Sequence, residues 1–294
     1  MKKIIVFGEV LFDFFPDGRK VIGGAPFNLT CHLRGMGLDP VFVSRIGDDD
    51  PGREVVRVMD SWSISAAGLQ RDDSRITGLV RVKIEDDEPS YEIKNNVAYD
   101  FIENPPAEVV QSQGLKLLYH GTLAARNPVS ASTLYQLCSM EKTQVFCDIN
   151  LRDPWWSKEL IMDILGWSAY LKVNLDELHR ISAMTGLVRG REWQEMAAAL
   201  QEKFQFKCLI VTLGTKGAAL FPRDGEWLHL PAPRAEDFKD SVGAGDAFSA
   251  VVILGITRGW DWKGILKNAV SFAAQICSNQ GAVPKNREIY EQFS

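Results

Sequence analysis

The strongest chemical signal in the chain is Asp240-Ser241-Val242-Gly243-Ala244-Gly245-Asp246. This turn of small residues runs directly into Ala247-Phe248-Ser249-Ala250-Val251-Val252-Ile253-Leu254-Gly255, an apolar stretch that reads as a helix. With no bulky side chains in the way, the amides at Gly243, Ala244 and Gly245 can approach an anion. The helix start adds positive potential. Asp246 falls in the first helical turn, where an Asp ordinarily serves as an N-terminal cap or charge. Beside an anion hole, a carboxylate also suits phosphoryl transfer to an alcohol. The amides hold the charge on the transferred group, and the carboxylate accepts the hydroxyl proton.

Such a turn needs a scaffold that presents helix starts at one edge. Apolar runs at 3–7, 41–45, 115–120, 144–148, 169–174 and 207–213 read as buried strands. Most are followed by Gly, Asp, Asn or Pro and then by helix-like sequence. Repeated β–α alternation predicts an α/β fold, a mostly parallel sheet with helices on both faces and ligands beyond the strand ends. Two regions break the rhythm. Residues 76–84 and 90–93 alternate like strands around the acidic turn 85–89, and residues 11–22 read as a second hairpin around Asp17-Gly18. They predict a small antiparallel β lid, inserted at about 11–22 and 75–102. Its apolar Phe14, Phe15, Val80, Val82 and Tyr91 are expected to face the ligand or a partner flap. The bland alternative is an edge extension. No repeat or linker divides the 294 residues, so a single domain over 1–294 is expected.

Composition narrows the function. Hydrophobic residues make up 46% and charged residues 24%, an ordinary globular balance. A net charge of −5 argues against a protein built to grip nucleic acid or an anionic membrane. No apolar stretch is long enough to span a bilayer, and Glu9 and Asp13 interrupt the region that would have to serve as a signal peptide. Five scattered cysteines without a CxxC pair fit a reducing cytoplasm. His32, His120, His179 and His229 show no metal-ligand spacing, and His120 reads as a core or strand-end histidine. Neither GxxxxGK[ST] nor a GxGxxG opening a helix after a strand is present, which disfavours Walker-type nucleotidases and Rossmann dehydrogenases.

The chain resembles the PfkB (ribokinase-like) family of carbohydrate kinases. Asp240–Asp246 is similar to that family's DTxGAGD signature, and Gly23-Gly24-Ala25-Pro26-Phe27-Asn28 to its glycine motif. Gly8-Glu9 with Asp13 resembles the sugar-binding end of its first strand, and Gly47-Asp48-Asp49-Asp50-Pro51-Gly52 its GxDxxG turn. Asn174 to Glu177 resembles its NxxE element, and Thr212-Leu213-Gly214-Thr215-Lys216-Gly217 its nucleotide strand and turn. The motifs run in family order across nearly the whole chain. Within the family, Gly8-Glu9-Val10-Leu11-Phe12-Asp13-Phe14 and Asp148-Ile149-Asn150-Leu151-Arg152 look most like fructokinases. The latter stretch is shared with 2-keto-3-deoxygluconate kinases.

The resemblance implies ATP-dependent phosphorylation of a sugar hydroxyl, fructose first. Alternatives are 2-keto-3-deoxygluconate, ribose or a nucleoside as acceptor, or a catalytically silent sugar binder. It makes Asp246 the general base and Gly243, Ala244 and Gly245 the anion hole. Asp13, Gly24, Asn28 and Arg152 would hold the sugar. Arg152 reads equally as a strand-end salt bridge. Asn174, Thr212, Gly214 and Gly217 would serve the nucleotide. Glu177 would organise Mg²⁺, through water, while also fitting a helix start. Adenine contacts are expected within residues 270–279. Carbonyls near Asp240, Val242, Asn279 and Gly281 are where a monovalent cation such as K⁺ would sit. A homodimer through the β lid is a further expectation, because exposed sheet edges invite pairing.

Overall fold

The computed structural model describes residues 3–85, 88–111, 116–187, 192–233 and 238–293. Thirteen strands lie among them: β1 (Lys3–Phe7), β2 (Leu11–Phe14), β3 (Lys20–Gly23), β4 (Val41–Gly47), β5 (Leu69–Asp72), β6 (Gly78–Glu85), β7 (Glu88–Ile93), β8 (Lys116–His120), β9 (Thr143–Asp148), β10 (Ser168–Asn174), β11 (Cys208–Thr212), β12 (Ala218–Pro222) and β13 (Leu228–Leu230). The helices are α1 (Ala25–Gly35), α2 (Asp50–Ser61), α3 (Ala107–Val110), α4 (Pro128–Cys138), α5 (Lys158–Trp167), α6 (Leu175–Thr185), α7 (Trp193–Phe204), α8 (Ala244–Arg258) and α9 (Trp262–Cys277).

Nine strands form the main sheet in the order β13-β12-β11-β10-β9-β8-β1-β4-β5. From β11 to β5 every pairing is parallel, and β12 and β13 close the other edge antiparallel. Side chains alternate across the sheet. Ile4, Val6, Leu117, Tyr119 and Phe146 pack with the buried faces of α8 and α9. Ile5, Phe7, Leu118 and Val145 face the opposite layer, as do Leu171 and Val173 farther along the sheet. Burial on both faces explains why these strands are continuous apolar runs. The six expected strands are all present. Residue 115, expected to start one of them, lies outside the described residues. The edge strands β5, β12 and β13 were not legible as strands because their sequences lack a sustained period.

The second sheet has the order β3-β2-β6-β7. Each of its hairpins is antiparallel, but the seam that joins them, β2 to β6, is parallel. Two expectations need correction. The small sheet does not extend to 102: it ends with β7, and Val97, Tyr99 and Ile102 are fully buried in the main core. Val80 and Val82 are also buried, so they are not offered to a partner; among the described residues Tyr91 and Val21 are the exposed large apolar residues of this sheet. Of the acidic turn expected at 85–89, Glu85 pairs with Glu88 in register, and Asp86 and Asp87 lie outside the described residues.

The root of the flap is pinned by Asp49. One carboxylate oxygen accepts from the Gly52 amide that starts α2, at 2.8 Å, and from the Thr77 hydroxyl, at 2.6 Å. The other accepts from the Thr77 amide at 2.8 Å. Thr77 immediately precedes β6, so one partly buried cluster fixes both a helix start and the strand that enters the small sheet.

Candidate active site

Helix α8 begins without a side-chain cap. Its N-cap is Gly243, in the left-handed region at φ 78°. A Cβ there would come within 2.5 Å of Ala282, so only glycine fits. Among the described residues the first-turn amides at Ala244, Gly245 and Asp246 have no side-chain acceptor, and the Ala244 amide makes only a long, 3.3 Å bond to the Ser241 carbonyl. Beneath them, where a Cβ on Gly245 would come within 3.4 Å, lies the ammonium of Lys172. This lysine projects from β10 and pairs with Asp148 of β9 at 2.6 Å, both nearly fully buried. Ser249 of α8 donates to the same Asp148 oxygen at 3.1 Å. Burial alone would lower Lys172, but the carboxylates of Asp148, Asp246 and Glu177 outweigh it and raise the ammonium above its ordinary value. The turn therefore rests on a fixed positive charge as well as on a helix start. Sequence reasoning missed Lys172. A lysine inside an apolar strand, two residues before the Asn of a helix cap, was the available signal.

Asp246 occupies the third position of α8. Asn28 of α1 donates to its Oδ2 at 2.8 Å. Burial pushes the Asp246 carboxyl up to about 7; the Asn28 bond opposes this, Asp148 adds to it, and Lys172 and Arg152 pull it back. Such a carboxyl is poised to exchange a proton near neutrality. Asn28, expected at the sugar, thus reaches the proposed base directly.

The other sugar-site candidates gather across the cleft. Gly24 is the N-cap of α1 at φ 104°, and a Cβ on it would lie 2.7 Å from the Glu9 carbonyl. Asp13 stands on β2, in the middle of the small sheet, between Val21 and Val80. Its carboxylate faces Gly23, 3.6 Å from where a Cβ would be. Burial raises Asp13, and Arg152 lowers it. Arg152 is exposed, and its Nη1 donates to the adjacent Leu151 carbonyl at 3.3 Å. It makes no salt bridge among the described residues, so the strand-end ion pair is not what it forms. Its charge acts on Glu9, Asp13 and Asp246 together. Two residues earlier, Asn150 is left-handed at φ 43°, a conformation Asn tolerates better than most. Glu9 is buried, its Oε2 has no hydrogen-bond partner among the described residues, and burial pushes it up to about 7.

The nucleotide candidates lie along the neighbouring strand ends. Asn174 and Thr212 are register partners on β10 and β11. Asn174 and Glu177 form a capping box for α6: Asn174 Oδ1 accepts from the Glu177 amide, and Glu177 Oε2 accepts from the Asn174 amide, each at 2.8 Å. Glu177 Oε1 accepts from the Leu151 amide at 2.8 Å. Gly214 faces open space, whereas a Cβ on Gly217 would strike the backbone at Leu230 and Ala232. Gly217 therefore makes room for the chain itself. In the expected adenine region, Val270 is part of the apolar core. His120 is buried against Trp167, held down to about 4 by burial, as a core histidine would be.

The pfkB family carbohydrate kinase model matches residues 1–288. The chain belongs to the pfkB family of carbohydrate kinases. Among curated relatives, it is 26% identical to fructokinase-2 of Zea mays over 316 residues, covering 96% of this chain and 90% of that protein. It is 27% identical to the aminoimidazole riboside kinase of Salmonella typhimurium, covering 93% and 87%. Among solved structures, the Salmonella enterica aminoimidazole riboside kinase complexed with aminoimidazole riboside and an ATP analogue superposes with a TM-score of 0.82 at 23% identity, covering 99% of both chains. The Vibrio cholerae O395 fructokinase with fructose, ADP and calcium gives 0.81 at 23% identity, covering 100% of this chain and 99% of that one. The ribokinase-like fold and the sugar-kinase class follow; the acceptor sugar does not, since relatives with different acceptors match equally well.

Proposed function

We propose that this pfkB kinase transfers the γ-phosphoryl group of ATP to a hydroxyl of fructose. The observation that carries the chemistry is the start of α8: an uncapped helix turn over a buried lysine, with the Asp246 carboxylate held by Asn28 in the same turn. In this reading Asp246 takes the proton of the attacking hydroxyl. The amides at Gly243, Ala244 and Gly245 hold the developing charge, and Lys172 supplies a fixed counter-charge below them. Asp13, Gly24 and Arg152 bind the sugar, with Asn28 serving it through the base. Asn174, Thr212 and Gly214 border the nucleotide. Fructose is favoured by the Gly8 to Phe14 stretch and by the fructokinases among the relatives. The exposed Arg152, with no ion-pair partner among the described residues, favours a second reading, an acid sugar such as 2-keto-3-deoxygluconate.

The side chains do not fit a directly held Mg²⁺. No group of three acidic, His or Cys side chains is set to bind a metal among the described residues, and both Glu177 oxygens are taken by backbone amides. Mg²⁺ is proposed only as the ion that accompanies ATP, with Glu177 acting on its water shell. A K⁺ requirement is proposed at the carbonyls of Asp240, Val242, Asn279 and Gly281, on two segments tied by bonds from the Lys239 and Asp240 amides to Cys277. The exposed Tyr91 and Val21 support dimerisation through the small sheet. Among the described residues no helix is long and apolar enough to cross a membrane, and the free cysteines support a cytoplasmic location.

An ADP-release assay over fructose, 2-keto-3-deoxygluconate, ribose and nucleosides, run with K⁺ or Na⁺, tests the reading. Fructose is expected to give the highest kcat/KM. Binding of sugar with no transfer to any acceptor would make the chain a silent binder.

A further inference from the structure

We propose that His32 is a positioning residue for the anion-hole turn, fixed in one tautomer by the Ala282 carbonyl and satisfied at its other nitrogen by Tyr290. His32 lies on α1 and is fully buried. Its Nε2 is 3.1 Å from the Ala282 carbonyl oxygen, and its Nδ1 is 2.9 Å from the Tyr290 hydroxyl. A carbonyl can only accept, so Nε2 carries the hydrogen. In the neutral ring Nδ1 then accepts from Tyr290. Burial keeps the ring neutral, holding it down to about 4.

Ala282 is the residue against which Gly243 packs, with 2.5 Å to a Cβ that is absent. Where Ala282 sits, the N-cap of α8 must follow. Four residues before His32, on the same face of α1, Asn28 donates to Asp246. One helix face thus braces the start of α8 at two points: its N-cap through His32 and Ala282, and its carboxylate through Asn28. Tyr290 is built in with matching care. A Cβ on Gly35 would come within 2.8 Å of its ring, and Phe272 and Trp62 contact it at centroid distances of 5.7 and 5.9 Å. An apolar residue could fill the volume of His32. What the imidazole adds is a donor aimed at Ala282 and an acceptor for Tyr290, so that no buried polar atom of the trio is stranded.

The inference rests on the phosphotransfer reading, and its test separates the two. Imidazole ¹⁵N shifts of the wild-type chain report the tautomer without any reaction; the Nε2–H form is expected, and an Nδ1–H form overturns the arrangement. In turnover, His32→Gln retains an amide donor and should hold kcat within about threefold, whereas His32→Leu should lower it about tenfold, the scale of an outer-layer positioning residue. Sugar KM should stay unchanged in both. Tyr290→Phe strips Nδ1 of its donor but leaves the Ala282 carbonyl, so it should fall between them and keep the Nε2–H signals, and it decides the matter if the Leu variant does not fold. Equal losses in the Gln and Leu variants, or a KM that moves with kcat, would reduce His32 to packing. A wild-type chain that transfers to no sugar overturns the phosphotransfer reading and the purpose of the brace, while the ¹⁵N spectrum still decides its geometry.

Discussion

Two helix starts flank the buried Lys172–Asp148 pair and are finished in opposite ways. Helix α6 closes itself: Asn174 and Glu177 satisfy each other's amides, and the spare Glu177 oxygen ties down Leu151. Helix α8 has a glycine N-cap, no side-chain acceptor and a buried ammonium beneath it. A closed start is a stability device, worth about 1 kcal/mol as caps go. An open one forgoes that stabilisation and leaves positive potential for a ligand. The difference separates residues that hold the cleft in shape from residues that act in it. Burial raises both carboxyls, but the Asn174 and Leu151 amides pull Glu177 back, while Asp246 receives one bond from Asn28 and is pushed up to about 7.

Removing the acid at the open start should have the largest effect. Asp246→Asn keeps the shape and the Asn28 contact but cannot accept a proton, and a kcat loss of roughly 10²–10⁴-fold is expected with both ligands still bound. Near-normal turnover in a folded variant would remove Asp246 from the base role. In the unaltered enzyme kcat/KM should rise with pH through about 7 and then level off. Glu9, pushed up to the same region, shares that limb, so the apparent value belongs to the pair. Stability runs the other way. A carboxyl raised by folding binds its proton more tightly in the native state, so its contribution is present below its unfolded value near 4 and is lost as pH rises through about 7. Asp246→Asn should therefore melt higher than the wild type at pH 8, and the gap should close toward pH 4. A gap independent of pH would show that Asp246 is not under this strain.

Next in size is the charge beneath the open start. Lys172→Met leaves Asp148 buried and unpaired, and a loss of about 3–5 kcal/mol is expected from such a break. Adding Asp148→Asn should restore much of the stability measured by denaturant titration. It should not restore the rate, because the counter-charge under Gly245 is still missing. If the double variant recovers full activity, the pair is scaffold alone. At the closed start the effect should be smaller. Glu177→Gln loses one of two amide contacts and should cost about 1–2 kcal/mol. The Mg²⁺ concentration for half-maximal rate should rise only several-fold, as for a group acting through water. A shift of about 100-fold with unchanged stability would instead make Glu177 a direct ligand of the ion.

The open start was legible in the sequence because small residues before an apolar helix have few other uses. The parallel strands were legible for a similar reason, since burial on both faces writes itself as an apolar run. Asn174 and Glu177 were legible as a cap. What stayed hidden depends on contacts distant in sequence. Lys172 reads as a strand residue until Asp148, 24 positions away, is placed beside it. Asn28 reaches Asp246 across 218 positions, and His32 reaches Tyr290 across 258. The parallel seam between β2 and β6 was hidden too, because hairpin signals specify each turn but not which strands of two hairpins will pair. Gly217 is ambiguous for a local reason: a glycine that clears space does not say for what, and here a Cβ would also strike the chain's own backbone.

The smallest effect concerns the flap. Asp13 stands on β2 inside the small sheet, so a sugar that contacts Asp13 contacts the flap itself. Water in the site would compete as phosphoryl acceptor, and a kinase gains from ordering a cover once its sugar is bound. Bound sugar should therefore slow amide exchange in β6 and β7 by a few-fold, and nucleotide alone should slow it less. The root gives a second handle. Asp49→Ala frees Thr77 from two bonds and uncaps α2, so exchange at the start of β6 should quicken without sugar and sugar KM should rise. The amides of α8, far along the chain and braced by α1, should not change in that variant. If exchange in β6 and β7 ignores the sugar in both proteins, the small sheet is an edge extension or a dimer contact. Its one role in the reaction would then be to hold Asp13 still.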